Sequence, residues 1–467
     1  MHNSVLPKGA TRVLFLAWGF SIHAKRRIQI FVEDSYFKVA VVSTHNYSFE
    51  DTMNVLLTGV HEDTERADCI VYEKGSEFAK SRLGFIRSNL GKILSAIKAL
   101  LDIKTVLDAA SILFSSDLFS EIKLKIKDCK VLTVFLLSPG IRCEIARAVK
   151  DLKILKSAVQ QFQPDVVFLQ TLLYPCYLAY LLPRSLPLII TLWNGDVIWR
   201  AEWSGIERLL KKQLVTYGMH RARSITVNSK KAFEACLGYD TQAYKIHLIR
   251  YPGVDLKRFR PVAKGEARRK LGITSQKVVL CPRGLGGYLN SDVIVEAIVS
   301  VVKMFPDTLF LFVSGIGGET ELKKHQQRAR ELGIEKNIRW DGQVSWDMMS
   351  IYYSSSDVMV SISSNDSAPN CMFEAMACGV PLIIGDIPQL HEWIVDGVNG
   401  FLVPPRDPSA LSGKILEALE NSNGYIKSFT KRNLELVNRD VDSEKNAEQI
   451  KDLVHQVARY YKSDVYS

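Results

Sequence analysis

Short runs of aliphatic and β-branched residues recur along this chain, and between them apolar positions fall every three or four residues. Runs of the first kind fit strands covered on both faces, and stretches of the second kind fit helices packed against them. Their regular alternation is the pattern of parallel sheets flanked by helices, so the fold class is α/β. Strands are expected in the first half at 13–16, 39–42, 131–136, 166–169, 188–191 and 224–227, and in the second half at 278–281, 309–313, 338–340, 358–361 and 382–384.

The rhythm breaks at Tyr251-Pro252-Gly253-Val254-Asp255 and again at Phe259-Arg260-Pro261, where turn formers cluster. A seam there divides the chain into an N-terminal domain over 1–252 and a C-terminal domain over 253–442, with an amphipathic helical tail over 443–467. At 467 residues the chain is long enough for two domains that each bury a core. Between 83 and 101, Leu83, Ile86, Leu90, Ile93, Leu94, Ile97, Leu100 and Leu101 share one helical face, with Arg87, Lys92 and Lys98 opposite. In this basic insert, about 80–130, ten Lys and Arg stand against five Asp and Glu. It reads first as a core-facing helix with a solvated basic back. The alternative is an interfacial helix that meets anionic membrane.

Composition narrows the partners without choosing one. Apolar residues make up 47% of the chain and charged residues 24%, the balance of an ordinary globular protein. A formal charge of +10 favours acidic ligands such as sugar nucleotides or lipid phosphates. It does not fit a nucleic-acid reader, because no aromatic platform interleaves the basic residues. The eight cysteines show no Cys-x-x-Cys and no metal spacing, so they are expected as reduced thiols in a cytoplasmic protein. The apolar run 13–20 is better read as a first strand than as a signal peptide, and 166–182 is interrupted by Gln170, Thr171 and Pro175 and too short to span a bilayer.

The most telling string runs Asp366-Ser-Ala-Pro-Asn-Cys-Met-Phe-Glu374-Ala-Met-Ala-Cys-Gly379-Val-Pro381. It places a carboxylate in a loop, a second carboxylate in the helix that follows, and a Gly and Pro as its stop. The first amides of that helix, at Asn370 and Cys371, suit an anion, and Glu374 suits vicinal sugar hydroxyls. Together they read as a nucleotide-sugar site. Two loops upstream have matching character: Arg283 just after the strand at 278–281, and Gly315-Ile316-Gly317-Gly318 between a strand and a helix.

This string resembles the signature of the family-4 retaining glycosyltransferases: Glu, seven residues, Glu, then Ala-Met-Ala-Cys-Gly-x-Pro. Asp366 stands in place of the first Glu. The resemblance implies the GT-B architecture, two Rossmann-like domains facing across a cleft, with 251–261 as the hinge string and the tail crossing back to the N-terminal domain. It implies that Glu374 holds the donor ribose, that Asp366 positions the transferred sugar, and that Arg283 binds the diphosphate with the loop at Gly317 close by. It also points to Ser21-Ile22-His23 as a first-strand loop where His23 is a hydrogen-bond donor or acid/base group, a capping role being the alternative. In Thr191-Leu192-Trp193-Asn194-Gly195-Asp196, Asp196 is implied to bind hydroxyls, while Trp193 replaces the family's His. The largest departure is Tyr288, near where the family places a Lys after Arg283.

The implied activity is retaining transfer of a sugar from a UDP- or GDP-linked donor to a glycan or lipid-linked acceptor. No Asp-x-Asp follows a strand, so the site is expected to need no metal and no cofactor beyond the nucleotide-sugar substrate. A peripheral contact with the inner face of an anionic membrane is a further implied partner. Two alternatives keep the same architecture: a sugar-nucleotide epimerase, and a degenerate homologue that binds nucleotide sugar or lipid without transfer.

Overall fold

The computed structural model describes residues 10–17, 22–47, 49, 52–57, 139–172, 175–192, 205–239, 241–313, 318–366 and 368–466. The chain divides into two compact units, one formed by Met1–Val227, Ala232–His247 and Lys451–Ser467, the other by Asn228–Lys231 and Leu248–Ile450.

The first unit holds a seven-stranded sheet of β1 (Thr11–Ala17), β2 (Phe37–Ser43), β3 (Met53–Leu56), β4 (Val166–Leu169), β5 (Leu188–Leu192), β6 (Ser224–Val227) and β7 (Ile246–Leu248), in the order β3-β2-β1-β4-β5-β6-β7. Helices α1 (Ile22–Val32), α2 (Pro139–Phe162), α3 (Gly205–Arg221) and α4 (Lys230–Leu237) lie between the strands in sequence. β1 pairs in parallel with both β2 and β4, Val13 standing opposite Val39 on one side and Val166 on the other. Val13 to Ala17 are all fully buried, as a central strand covered on both faces requires, so the run shows no polar alternation. Phe15 packs 5.3 Å from both Phe31 of α1 and Phe168 of β4, which fixes that helix on the sheet.

The second unit holds six parallel strands, β8 (Lys277–Cys281), β9 (Thr308–Val313), β10 (Ile338–Gly342), β11 (Val358–Ser361), β12 (Leu382–Gly385) and β13 (Phe401–Val403), ordered β10-β9-β8-β11-β12-β13. Its helices are α5 (Lys264–Lys270), α6 (Ser291–Met304), α7 (Gly318–Glu331), α8 (Trp346–Ser355), α9 (Asn370–Ala377), α10 (Pro408–Glu420) and α11 (Ser422–Leu436). Successive residues of β8 feed opposite faces, Val278 and Leu280 joining the core under α8 and α9, Val279 and Cys281 the core under α6 and α10. Asp357, almost fully buried just before β11, accepts from Lys264 Nζ and Arg268 Nη2 of α5 and from the Val278 amide, each at 2.7 Å. Those three bonds tie α5 to the middle of the sheet.

A π-helical turn at Val437–Val441 leads into α12 (Ser443–Tyr466), whose later residues, from Lys451, belong to the first unit. There Lys451 Nζ pairs with Asp34 at 2.9 Å, and the His455 ring bonds Thr11 Oγ1 at 3.0 Å and stacks 4.3 Å from Phe37. Gly253, with φ of +66°, brings the 251–261 string against the Val441 carbonyl, where a Cβ would collide.

Three strands exceed the pattern read from sequence: β3, β7 and β13, of four, three and three residues. Each is a sheet edge of four residues or fewer, and β3 alternates half-buried with exposed residues. The strand expected at 131–136 and the helix expected at 83–101 lie outside the described residues.

Candidate functional site

Strand order reverses between β8 and β11, and in an open parallel sheet the loops leaving two such strands part and leave room for a ligand. Arg283 stands two residues beyond β8, and Asp366 five beyond β11. Their side chains meet, Arg283 Nη1 donating to Asp366 Oδ2 at 2.6 Å. The side chains keep 22% and 16% of their exposure, so a ligand can reach both. Ser363 Oγ donates to the same Asp366 oxygen at 3.3 Å.

α9 begins directly after this loop, with Pro369 as its first cap and Asn370 and Cys371 at its N-terminus. Cys371 Sγ lies 3.9 Å from Arg283 Nη1 and 3.9 Å from Ser361 Oγ. Burial works against the Arg283 charge, yet the Asp366 carboxylate bonded to it outweighs that and holds the guanidinium above its usual range. Burial pushes the Cys371 thiol up in spite of Arg283, which keeps it protonated. Every residue from Cys371 to Ala377 is buried, which is why this helix is apolar nearly all round. The exception is Glu374, only 8% exposed, whose Oε2 accepts from the Tyr353 hydroxyl of α8 at 2.9 Å.

The loop after β8 is held from three sides. Gly286 and Gly287 take positive φ, and Asn290 follows in the left-handed region, which Asn tolerates better than most residues. Asn290 Nδ2 donates to Ile362 O at 2.8 Å and to Ser364 Oγ at 2.7 Å, while the Ser364 amide donates to the Tyr288 carbonyl at 2.8 Å. On the far side Ser291 Oγ accepts the Gly286 amide at 2.7 Å and lies 2.8 Å from His325 Nε2 of α7. His325 Nδ1 is 2.8 Å from the Glu321 carbonyl, so Nδ1 carries the proton and Nε2 accepts from Ser291. Arg283, Asp366 and Cys371 thereby share one rim, and Glu374 lies a turn further along α9, buried against Tyr353.

Of the residues singled out from sequence, Arg283, Asp366 and Cys371 meet at this rim, and Asn370 and Glu374 lie on the same helix as Cys371. His23 lies in α1, and nothing further is described of its side chain. Gly317, Asp196 and Trp193 lie outside the described residues. Sequence reasoning passed over Tyr353, Asn290, Ser291 and His325. Of these only Asn290 left a readable trace, as an Asn-Ser pair closing a Gly-rich loop before a helix.

The second unit is thus an open parallel α/β sheet with a cation and a carboxylate meeting at its switch point, the place where such sheets leave room for a ligand. Residues 263–434 match the model of the glycosyl transferases group 1, and residues 119–258 that of Glycosyltransferase Family 4. The chain belongs to this family of glycosyltransferases. A D-inositol 3-phosphate glycosyltransferase from Geodermatophilus obscurus is 34% identical over 179 residues, which is 37% of this chain and 40% of that protein. The chain spans about two fifths of the length of the curated relatives it matches. Among solved structures, a glycosyltransferase from Rickettsia africae is similar with a TM-score of 0.64 at 14% identity, covering 96% of this chain and 98% of its own. Anabaena HepE, solved in complex with UDP, gives 0.62 at 14% identity, covering 96% and 100%. The fold of the two sheets is therefore that of the GT-B glycosyltransferases.

Among the described residues no helix is long and apolar enough to cross a membrane.

Proposed function

We propose that this protein transfers a sugar from a nucleoside-diphosphate donor to a glycan or lipid-linked acceptor, with retention at the anomeric carbon. The observation that carries the reading is the Arg283, Asp366 and Cys371 rim at the β8/β11 switch point, where a cation and the N-terminus of α9 share one corner and Glu374 lies a turn further along. Structures similar to this chain that hold UDP and UDP-glucose add support for the donor class.

In this scheme Arg283 and the first amides of α9 take the diphosphate and stabilise the charge that grows on it as the sugar leaves. Glu374 accepts from ribose hydroxyls and Asp366 from the sugar. The bond from the anomeric carbon to the phosphate oxygen breaks, the acceptor oxygen bonds to that carbon on the same face, and the acceptor proton passes to the departing diphosphate. His23 and Asp196 are the proposed acid/base and hydroxyl-binding groups of the first unit. Arg283 and α9 supply positive charge of their own to the diphosphate, which supports a reading without a divalent ion. Peripheral contact with an anionic membrane, through the basic segment near 80–130, belongs to the same proposal.

The test is titration of UDP- and GDP-sugars against wild type and Arg283→Ala, followed by transfer assays on lipid-linked and glycan acceptors. One donor family is expected to bind, and the variant to lose roughly a hundredfold in affinity. Equal binding by both proteins rejects the site. Binding with release of an altered sugar nucleotide and no acceptor product indicates an epimerase, and binding with neither product a non-catalytic homologue.

A further inference from the structure

Tyr353 is fully buried on α8, and its hydroxyl points at a carboxylate on another helix. Both residues sit in the interior: Tyr353 at 0% exposure and Glu374 at 8%. The ring is enclosed in the core and stands edge-on to Phe259 at 6.1 Å, which restricts how it can turn. α8 is itself anchored, since the Ser354 hydroxyl accepts the Val262 amide at 3.1 Å and Ser355 and Ser356 donate back to the Tyr352 carbonyl.

We infer that Tyr353 is a positioning residue that sets the recognition of the nucleotide's ribose, by holding Oε2 of Glu374 and thereby fixing the plane and aim of that carboxylate. The inference rests on the donor-site reading given above. A buried Glu side chain has three rotatable bonds, and a carboxylate without a fixed partner turns to whichever donor is nearest. With its 2.9 Å bond from Tyr353 the group is locked before any ligand arrives, and hydroxyl recognition pays no ordering cost. The phenol is a permanent donor. Burial and the adjacent Glu374 charge push its pKa well above the ordinary value, so it does not ionise in any working range.

A preorganised acceptor discriminates by hydroxyl count. A ligand that lacks the hydroxyl leaves a desolvated carboxylate oxygen unsatisfied, whereas a carboxylate that can swing finds a substitute partner. The signature of the role is therefore a change in selectivity rather than a uniform loss of binding.

The experiment compares UDP and GDP with their 2′-deoxy and 3′-deoxy forms by calorimetry, on wild type, Tyr353→Phe, Glu374→Gln and the double variant. Phe keeps the ring and removes one oxygen, and a thermal melt checks that the fold survives. Wild type is expected to prefer the intact ribose by about tenfold or more for at least one deoxy position, and Tyr353→Phe to narrow that preference to roughly twofold. Adding Tyr353→Phe to Glu374→Gln is expected to change the preference no further. A Tyr353→Phe protein that keeps the full wild-type preference overturns the positioning role while leaving the donor site standing. A wild type that binds nucleotide without any ribose preference overturns the role of Glu374 and this inference with it. An equal additional loss in the double variant shows that Tyr353 acts by some route other than Glu374, and also overturns it.

Discussion

Arg283 and Asp366 are joined at 2.6 Å across neighbouring strands, so the cation proposed for the donor diphosphate already has an anionic partner. Under the proposed donor site, a diphosphate there would compete with the carboxylate for Arg283. Removing the competitor separates binding from transfer. Asp366→Asn is expected to bind the free nucleoside diphosphate about three- to tenfold more tightly and to lose about a hundredfold or more in transfer. Calorimetry with UDP or GDP and a product assay measure the two effects. Weaker diphosphate binding by this variant would show that the carboxylate supports the cradle instead of competing for it.

Gly385, at the end of β12, lies under the loop that carries Asp366. A Cβ there would stand 2.7 Å from the Ser363 carbonyl oxygen and 3.1 Å from the Ile362 carbonyl carbon, both main-chain atoms. The backbone has to shift to accept a methyl group. Gly385→Ala is expected to cost roughly 1–3 kcal/mol in stability and to weaken nucleotide binding in parallel, because the same segment receives the Asn290 side chain. Denaturant unfolding and a nucleotide titration check it, and unchanged values for both would refute the close packing.

Asp357 is a purely structural site, far down the same strand from the ligand rim. Its carboxylate satisfies two cations and a buried amide. Asp357→Ala removes two ion pairs and leaves the buried Val278 amide without its acceptor, and a loss of roughly 2–4 kcal/mol is expected, with nucleotide affinity of the surviving folded fraction unchanged. A shift in affinity larger than the shift in stability would contradict this separation.

The tail helix carries a pH dependence. Burial holds the pKa of His455 below its ordinary value of 6.5, and Arg459 adds to that, against Asp34 and Asp452. A histidine lowered on folding binds its proton more readily when unfolded, so protons favour the unfolded chain. Its stabilising contribution is intact above pH 6.5 and is lost as pH falls from there through the lower folded value. His247, also lowered by burial, acts in the same direction. Thermal midpoints taken downward from pH 7.5 are expected to fall less for His455→Phe, which keeps the stack on Phe37, than for wild type. Parallel curves would exclude His455 as the group responsible.

The sheets were legible because parallel strands covered on both faces must be apolar nearly throughout, as Val13 to Ala17 and Val358 to Val360 are. Three of the edge strands were not, since β3, β7 and β13 are only three or four residues long and too short to stand out from loops. The α9 string could be read as a ligand-binding helix because its two carboxylates interrupt an otherwise apolar segment. Tyr353 could not: nothing in Ser350-Ile351-Tyr352-Tyr353 tells which tyrosine faces a carboxylate 21 residues on. Neighbouring Tyr352 bonds Asp341 instead, at 2.7 Å, and only the packing of α8 distinguishes the two. The chain of bonds from Glu321 through His325 and Ser291 to Gly286 was equally silent, because it joins a helix to a loop more than thirty residues away.

Since α9 is enclosed along its whole length, it offers almost no outward surface on which new preferences can be written. Attempts to retune which donor this protein accepts will do better to randomise the segments leaving β8 and β11, where Tyr288 is 52% exposed, than to alter the helix itself. Libraries built on α9 should yield chiefly insoluble protein.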